Sequence, residues 1–164
     1  MRRPARKKVD AHQAVDPRAV REAAFAHLAR RDFATGELVL KLAFQGYDPA
    51  VSAAAVAELV SDGYIDDVRF CENYVTSHAN RGEGPARIEA QMKTLDLPCE
   101  LIDTALASIP DWRARAQAVR VRKFGLELPK TWPEKGRQAR FLQYRGFSSD
   151  HIRAALGTDF NSDD

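Results

Sequence analysis

Long apolar runs are missing from this chain of 164 residues. None approaches the ~20 residues that span a bilayer. Met1-Arg2-Arg3 is followed by no apolar segment of the kind that makes a secretory signal. Cysteine is scarce: Cys71 and Cys99 are the two in the chain, and both lie in apolar helical patterns. That placement favours buried thiols in a reducing compartment over a disulfide or a metal pair. The four histidines, His12, His27, His78 and His151, stand at no metal-ligand spacing from a cysteine or from one another. Sustained alternation of β-branched residues is also missing, so no strand is expected. Apolar residues make up 45% of the chain, enough for a core, while mean hydropathy is −0.43. The expectation is a soluble, cytoplasmic, all-α protein.

Catalytic constellations are equally thin. Asp66-Asp67 with Glu72 offers carboxylates for Mg²⁺, but adjacent helical residues point apart, so capping is the better reading. Gly82-Glu83-Gly84-Pro85 lacks the lysine and preceding strand of a phosphate-binding loop and reads as a helix break. Ser77 beside His78 is no nucleophile–base pair through adjacency alone. His78 falls on an apolar helix face and reads as a core or boundary residue. No enzyme, metal or cofactor is therefore expected.

What the chain does have is punctuation. From Leu59 to Ile88 it holds a helix exit, a turn, a whole helix, a break and a new helix start. Gly63 can take a positive φ past a helix end, with Tyr64 and Ile65 folding back. Asp66 or Asp67 can cap the next helix, whose apolar face is Phe70, Cys71, Tyr74, Val75 and His78. Pro85 is preset for a following first turn, with Ile88, Met92 and Leu95 behind it. Similar signals divide the remainder. Asp16-Pro17 opens a helix to about Arg31, and another runs from Thr35 to Gln45. Asp48-Pro49 opens an alanine-rich third, whose Ala53, Ala54, Ala55 and Ala57 would let neighbouring helices approach. Beyond the centre come helices over 98–109, 112–124 and 134–144, and a last one capped by Ser148-Ser149-Asp150. Nine helices result.

Written on itself, the chain repeats with a period of 50. Leu42, Met92 and Leu142 coincide, as do Gly46, Asp96 and Gly146, then Tyr47, Leu97 and Phe147, and later Val56, Leu106 and Leu156. Asp96 replaces glycine at a turn and tolerates left-handed backbone better than most residues. Units of ~45 residues bury too little surface to fold alone, so each should lean on its neighbours. The expected architecture is three tandem three-helix modules stacked into an elongated body that can curve. Their spans are 16–64, 65–110 and 111–157, after a flexible basic arm (1–15) and before an acidic tail (158–164). Such a body presents long surfaces and few deep pockets, which favours binding over catalysis.

Charge is partitioned along the chain. Residues 1–45 carry +5, residues 46–110 carry −7 and residues 111–164 carry +4. Between Trp112 and Phe147 lie ten cations: Arg113, Arg115, Arg120, Arg122, Lys123, Lys130, Lys135, Arg137, Arg140 and Arg145. Trp112, Phe124, Trp132 and Tyr144 are interleaved with them. Cations that hold a backbone, beside rings that stack on bases, suit single-stranded nucleic acid. Trp112 and Phe124 read as core, and Trp132, in a proline-flanked loop, has the weaker claim to it.

Three blocks in order resemble the RecX family, bacterial regulators of the RecA recombinase. The central one is Leu59, Gly63-Tyr64-Ile65, Asp66-Asp67, Arg69-Phe70, Tyr74-Val75, Gly84-Pro85 and Arg87-Ile88. The first is Leu28 to Arg31 with Glu37-Leu38, Leu42 and Gly46-Tyr47. The last is Arg140-Phe141-Leu142 with Arg145-Gly146-Phe147. Together they cover residues 18–157. Where the family carries a capping serine, this chain has Ala34, leaving Thr35 as the available cap. The resemblance implies three tandem three-helix modules and attachment along the groove of the RecA–single-stranded DNA filament. It also implies restraint of recombinase, ATPase and co-protease activity, in DNA repair, recombination and the SOS response. The partner expected is the RecA filament, with single-stranded DNA reached through it and no membrane. Expected contacts are Arg81 and Arg87 at the centre and the ten cations of the third module. The alternative is a small helical DNA-binding protein with no recombinase partner.

Overall fold

The computed structural model describes residues 9–157. Ten helices carry them: α1 (Ala11–Ala14), α2 (Pro17–Leu28), α3 (Thr35–Gln45), α4 (Pro49–Ser61), α5 (Asp67–Asn80), α6 (Pro85–Lys93), α7 (Cys99–Ala107), α8 (Trp112–Phe124), α9 (Trp132–Tyr144) and α10 (Ser149–Leu156). No strand occurs among the described residues, as expected. No helix among them is long and apolar enough to cross a membrane. The acidic tail and the cations Arg2 to Lys8 of the predicted arm lie outside the described residues.

The rest of that arm differs from its reading. Residues 11–14 form a helical turn, because Asp10 accepts from the Gln13 amide at 2.8 Å. The carbonyl of Ala14 then accepts from the Asp48 amide at 2.8 Å. Asp10 and His12 lack the apolar periodicity that would have advertised a helix, so only the cap could have shown it.

Local chemistry sets the other helix starts. Asp16 accepts from the Arg18 amide at 3.0 Å, and Asp48 from those of Ala50 and Val51 at 2.9 and 3.0 Å. Each is followed by proline at the first helical position, where a missing N–H costs nothing. Thr131 and Glu134 form a reciprocal capping box. It lets α9 begin at Trp132 rather than Glu134. The start of α3 is different. Ala34 occupies its N-cap and offers no side-chain acceptor, and Thr35 is the first helical residue, not the cap. The acceptor comes from elsewhere: Asp67 Oδ1 takes the Thr35 amide at 2.8 Å. The neighbouring Asp66 caps α5 itself, through the Arg69 amide at 3.0 Å. The two adjacent aspartates thus serve two helices.

The chain divides into two compact units. One runs through Phe70 and includes Leu95–Leu97; the other comprises Cys71–Thr94 and the chain from Pro98 onward. In the first, α2, α3 and α4 enclose Val20, Ala24, Phe33, Leu38, Leu42, Val56, Leu59 and Ile65. Of the alanines on α4, Ala55 is buried while Ala53, Ala54 and Ala57 face outward, so close helix approach does not rest on them. In the second, α6 packs on α7, and α8 packs on α9 and α10. Ala116, Val119, Leu142, Phe147 and Ala155 form the core of that last group. Of the two thiols, Cys71 is buried as expected, but Cys99 is exposed, because it opens α7 on the outer side.

The period of 50 is visible in the backbone. Leu42, Met92 and Leu142 are all fully buried. Gly46, Asp96 and Gly146 all take positive φ, at 103°, 58° and 92°. After two of these turns the chain makes the same bonds: Tyr47 N to Leu42 O at 3.3 Å, and Phe147 N to Leu142 O at 3.1 Å. Each donates back into the last helical turn, leaving its ring or aliphatic neighbours to cover the helix end.

One turn is held with unusual closeness. The Gly84 amide donates to Arg145 O at 2.7 Å, and the Ala86 amide to Gly146 O at 3.1 Å. The start of α6 therefore lies directly on the turn after α9. A methyl group at Gly84 would sit 2.5 Å from Gly146 O, and one at Gly146 would sit 2.5 Å from the Arg87 nitrogen. Both obstacles are backbone and cannot swing aside. Gly146→Ala should therefore cost about 3 kcal/mol or more, combining overpacking with left-handed strain. Gly63→Ala has open space around it despite a φ of 78°, and should cost about 1 kcal/mol. Urea unfolding of both variants checks the contrast, and equal losses would contradict it.

Candidate nucleic-acid and partner interface

The central cations are tied to that close approach. Glu83 lies between two partners, with His78 Nδ1 at 3.0 Å from its Oε2 and Arg87 Nε at 3.6 Å. Burial pushes the Glu83 carboxyl up, but the His78 hydrogen bond, the Arg87 charge and Gln91 outweigh it, so the group stays below the usual carboxylate range. His78 is half-buried and stacks on Tyr74 with ring centres 4.1 Å apart, which places it at the boundary expected for it. Arg87 also donates to Tyr144 O at 3.4 Å and lies over the Tyr144 ring at 5.5 Å. Arg145 answers in reverse, donating to Arg81 O at 3.3 Å. Arg81 itself is exposed, whereas Arg87 and Arg145 are half-buried. The structure thus brings these three cations together around the turn at Gly146.

Of the ten cations between Trp112 and Phe147, Arg120 does not belong to any surface. It is 1% exposed. Its guanidinium donates to Glu127 O at 2.8 Å and Leu126 O at 3.1 Å. It fastens the loop between α8 and α9 to the core, and that corrects the expectation that it contacts a ligand. The signal was in the spacing: Arg120 falls one turn after Ala116 and beside Val119, on the inward stripe of α8.

The remaining nine are distributed by their partners. Arg113 pairs with Asp150 at 2.8 Å, and this hydrogen bond holds the Asp150 carboxyl below its ordinary value. Arg115 donates to Asn80 Oδ1 at 3.0 Å. Lys130 lies 3.9 Å from Glu127. Lys135 stands 6.0 Å from the Trp132 ring centre, and Arg137 5.7 Å from that of Phe124. Arg122, Lys123 and Arg140 are exposed and make no ion pair among the described residues. A groove of about 230 Å³ lies between the end of α5 and α8. Ala79, Asn80, Gly82, Arg115, Ala118, Val119 and Arg122 line it.

The rings sort similarly. Trp112 is half-buried and donates from Nε1 to Leu106 O at 3.2 Å. Phe124 is half-buried and meets Phe141 edge-on at 5.3 Å. Trp132 is 85% exposed and Tyr144 77% exposed. Trp132 opens α9 rather than lying in a loop, with its ring outside the core. No group of three or more His, Cys, Asp or Glu is placed to hold a metal among the described residues. What the geometry offers is a set of exposed cations on α8 and α9 and an exposed indole, suited to phosphates and to stacking.

Known proteins place this arrangement in a family. The model of the second three-helix domain of RecX matches residues 66–106, and that of the third matches 111–156. The chain is 41% identical over 147 residues to the regulatory protein RecX of Halorhodospira halophila, covering 89% of this chain and 91% of that protein. The chain belongs to the RecX family. The RecX of Vibrio campbellii is 39% identical over 137 residues, covering 83% of this chain and 88% of its own. In three dimensions the chain is similar to RecX from Lactobacillus salivarius, with a TM-score of 0.73 at 17% identity over 90% of this chain and 97% of that one. RecX proteins are named as regulators, and the helical class and family expected from the sequence are both found.

The two kinds of arginine should separate by experiment. Arg120→Met should lower stability by about 2 kcal/mol, through two lost charge-assisted bonds, and leave binding of single-stranded DNA or its protein complex within twofold. Arg140→Ala should change stability by no more than about 0.5 kcal/mol. Unfolding curves beside binding isotherms measure both, and a purely binding defect in Arg120→Met would contradict the assignment.

Proposed function

We propose that this chain binds the RecA–single-stranded DNA filament and restrains its recombinase, ATPase and co-protease activities. What carries the reading is identity at the 41% level, across nine-tenths of the chain, to a protein named as a RecX regulator. The exposed cations Arg122, Lys123, Arg137 and Arg140, together with the exposed Trp132, support it, because they suit a polyanion lying against α8 and α9. In this reading the three modules, 16–64, 65–110 and 111–157, span neighbouring protomers along the filament groove. Arg81 and Arg87 contact the filament, and the outward cations of the third module lie toward DNA. Regulation then works by occupancy of an extended surface: a bridged pair of protomers cannot rearrange, so strand exchange and nucleotide turnover slow together. DNA repair, recombination and the SOS response, in the cytoplasm, are the setting this implies.

A second reading, a DNA-binding protein with no recombinase partner, draws on the same cation face. The two differ in salt dependence and in preference. A plain DNA binder should hold naked strand with a steep negative slope of log K against log salt. A filament regulator should prefer the recombinase-coated strand.

The test is RecA ATPase on single-stranded DNA with increasing amounts of this protein. Stoichiometric protein should suppress turnover, and combined Arg122→Ala, Lys123→Ala and Arg140→Ala should raise the protein needed by about tenfold or more. Undiminished ATPase at stoichiometric protein, with tight binding to naked strand, would replace this reading by the second.

A further inference from the structure

Trp132 and Tyr144, at the two ends of α9, are the largely exposed rings among the described residues of the second unit. Tyr144 is braced from behind. The Arg87 guanidinium lies over its ring, 5.5 Å from the ring centre, and donates to its carbonyl at 3.4 Å. That cation covers one face of the ring. A residue 77% exposed keeps the opposite face open. Glu83, the carboxylate beside Arg87, is half-buried and already bonded to His78 at 3.0 Å. It is therefore held behind the ring and not presented in front of it.

The row of α9 that leads to this ring is Gly136, Arg140 and Tyr144, at spacings of four. Arg140 is folded back along it, with Nη1 3.6 Å from where a methyl on Gly136 would sit. Arg137, next to Gly136 in the chain, is exposed as well. One carboxylate lies between Trp132 and Phe147, that of Glu134. Its Oε2 is taken by the amides of Lys130 and Thr131, at 3.1 and 3.2 Å. The way along α9 is thus cationic, and an open, braced ring stands at its end.

We infer that Tyr144, backed by Arg87, seats one unpaired base of single-stranded DNA whose phosphates lie on Arg137 and Arg140. This base seat rests on the strand contact proposed above and adds to it a contact that cations alone do not make. One helical turn, about 6 Å, separates Arg140 from Tyr144, the scale on which a phosphate stands from its own base. Every base has a π-face, so the contact tolerates any sequence. Cations hold the phosphates of single strands and duplexes alike. A ring selects between them, because the bases of a duplex are already stacked on one another and offer it no open face.

Fluorescence anisotropy of two labelled strands of about 15 nucleotides, titrated with the full chain, tests this. One strand is all thymidine; the other is abasic, keeping the phosphates and lacking the bases. Wild type should bind the thymidine strand about tenfold more tightly than the abasic one. Tyr144→Ala, at an exposed position, should melt with wild type. It should bind the thymidine strand about tenfold more weakly and the abasic strand within about twofold of wild type. Tyr144→Trp should restore the preference, and Arg140→Ala should weaken both strands by the same factor. Equal binding of the two strands by wild type would overturn the inference. So would a Tyr144→Ala variant that keeps the preference or loses affinity for both strands alike, or binding of neither strand by wild type up to about 1 mM. RecA ATPase, read in parallel, keeps the two proposals apart. Suppression without a base preference removes the base seat and leaves the filament reading; a base preference without suppression does the reverse.

Discussion

Backbone lying on backbone at Gly84 and Gly146 is the constraint on which the second unit depends. Two amides at the start of α6 find their acceptors in the turn after α9. Those amides are orphans of a helix N-terminus and would otherwise need water or a side chain. The turn can offer its carbonyls only because Gly146 takes a φ of 92°, and the helix can reach them only because Gly84 has no side chain. Once that approach is made, the rest follows at short range. Arg87 is carried to Tyr144, Arg145 to the Arg81 carbonyl, and Glu83 is left between His78 and Arg87. Cations that look from sequence like free ligands for phosphate are partly committed to holding this crossing.

That commitment explains how the sequence could be read and where it could not. The helices at 17–28, 49–61 and 149–156 were legible because their caps lie next to them, in Asp16-Pro17, Asp48-Pro49 and Ser148. The period of 50 was legible because a left-handed turn admits few residues, and glycine, aspartate and glycine stand at the three positions. The start of α3 was not, because its acceptor is Asp67, 32 residues away. Adjacent aspartates look redundant until the fold shows one working at each of two helices. Contacts of this kind carry no local signature.

The candidate surface divides along the same line. A count of cations treats Arg120 and Arg140 alike, whereas burial separates them completely. The periodicity of α8 contained that distinction, since Arg120 lies on the stripe of Ala116 and Val119. It was obscured by the general rarity of buried arginine, which becomes tolerable here because two loop carbonyls accept its protons. Trp132 shows the opposite case. Beside proline it had the weaker claim to the core and read as loop, whereas the Thr131–Glu134 capping box begins the helix early and leaves the ring outside. Such outward groups stand on a frame in which Arg120 is fixed by two loop carbonyls and the start of α6 by the turn after α9.

Amide hydrogen exchange tests that frame most directly. Gly84 is in a loop and Ala86 lies in the first turn of α6, where amides normally exchange freely. If both are held by the Arg145 and Gly146 carbonyls, their amides should be protected to about the same degree as those inside α6 and α9. Rapid exchange at Gly84 and Ala86, with the interiors of both helices still protected, would contradict the crossing and the register built on it.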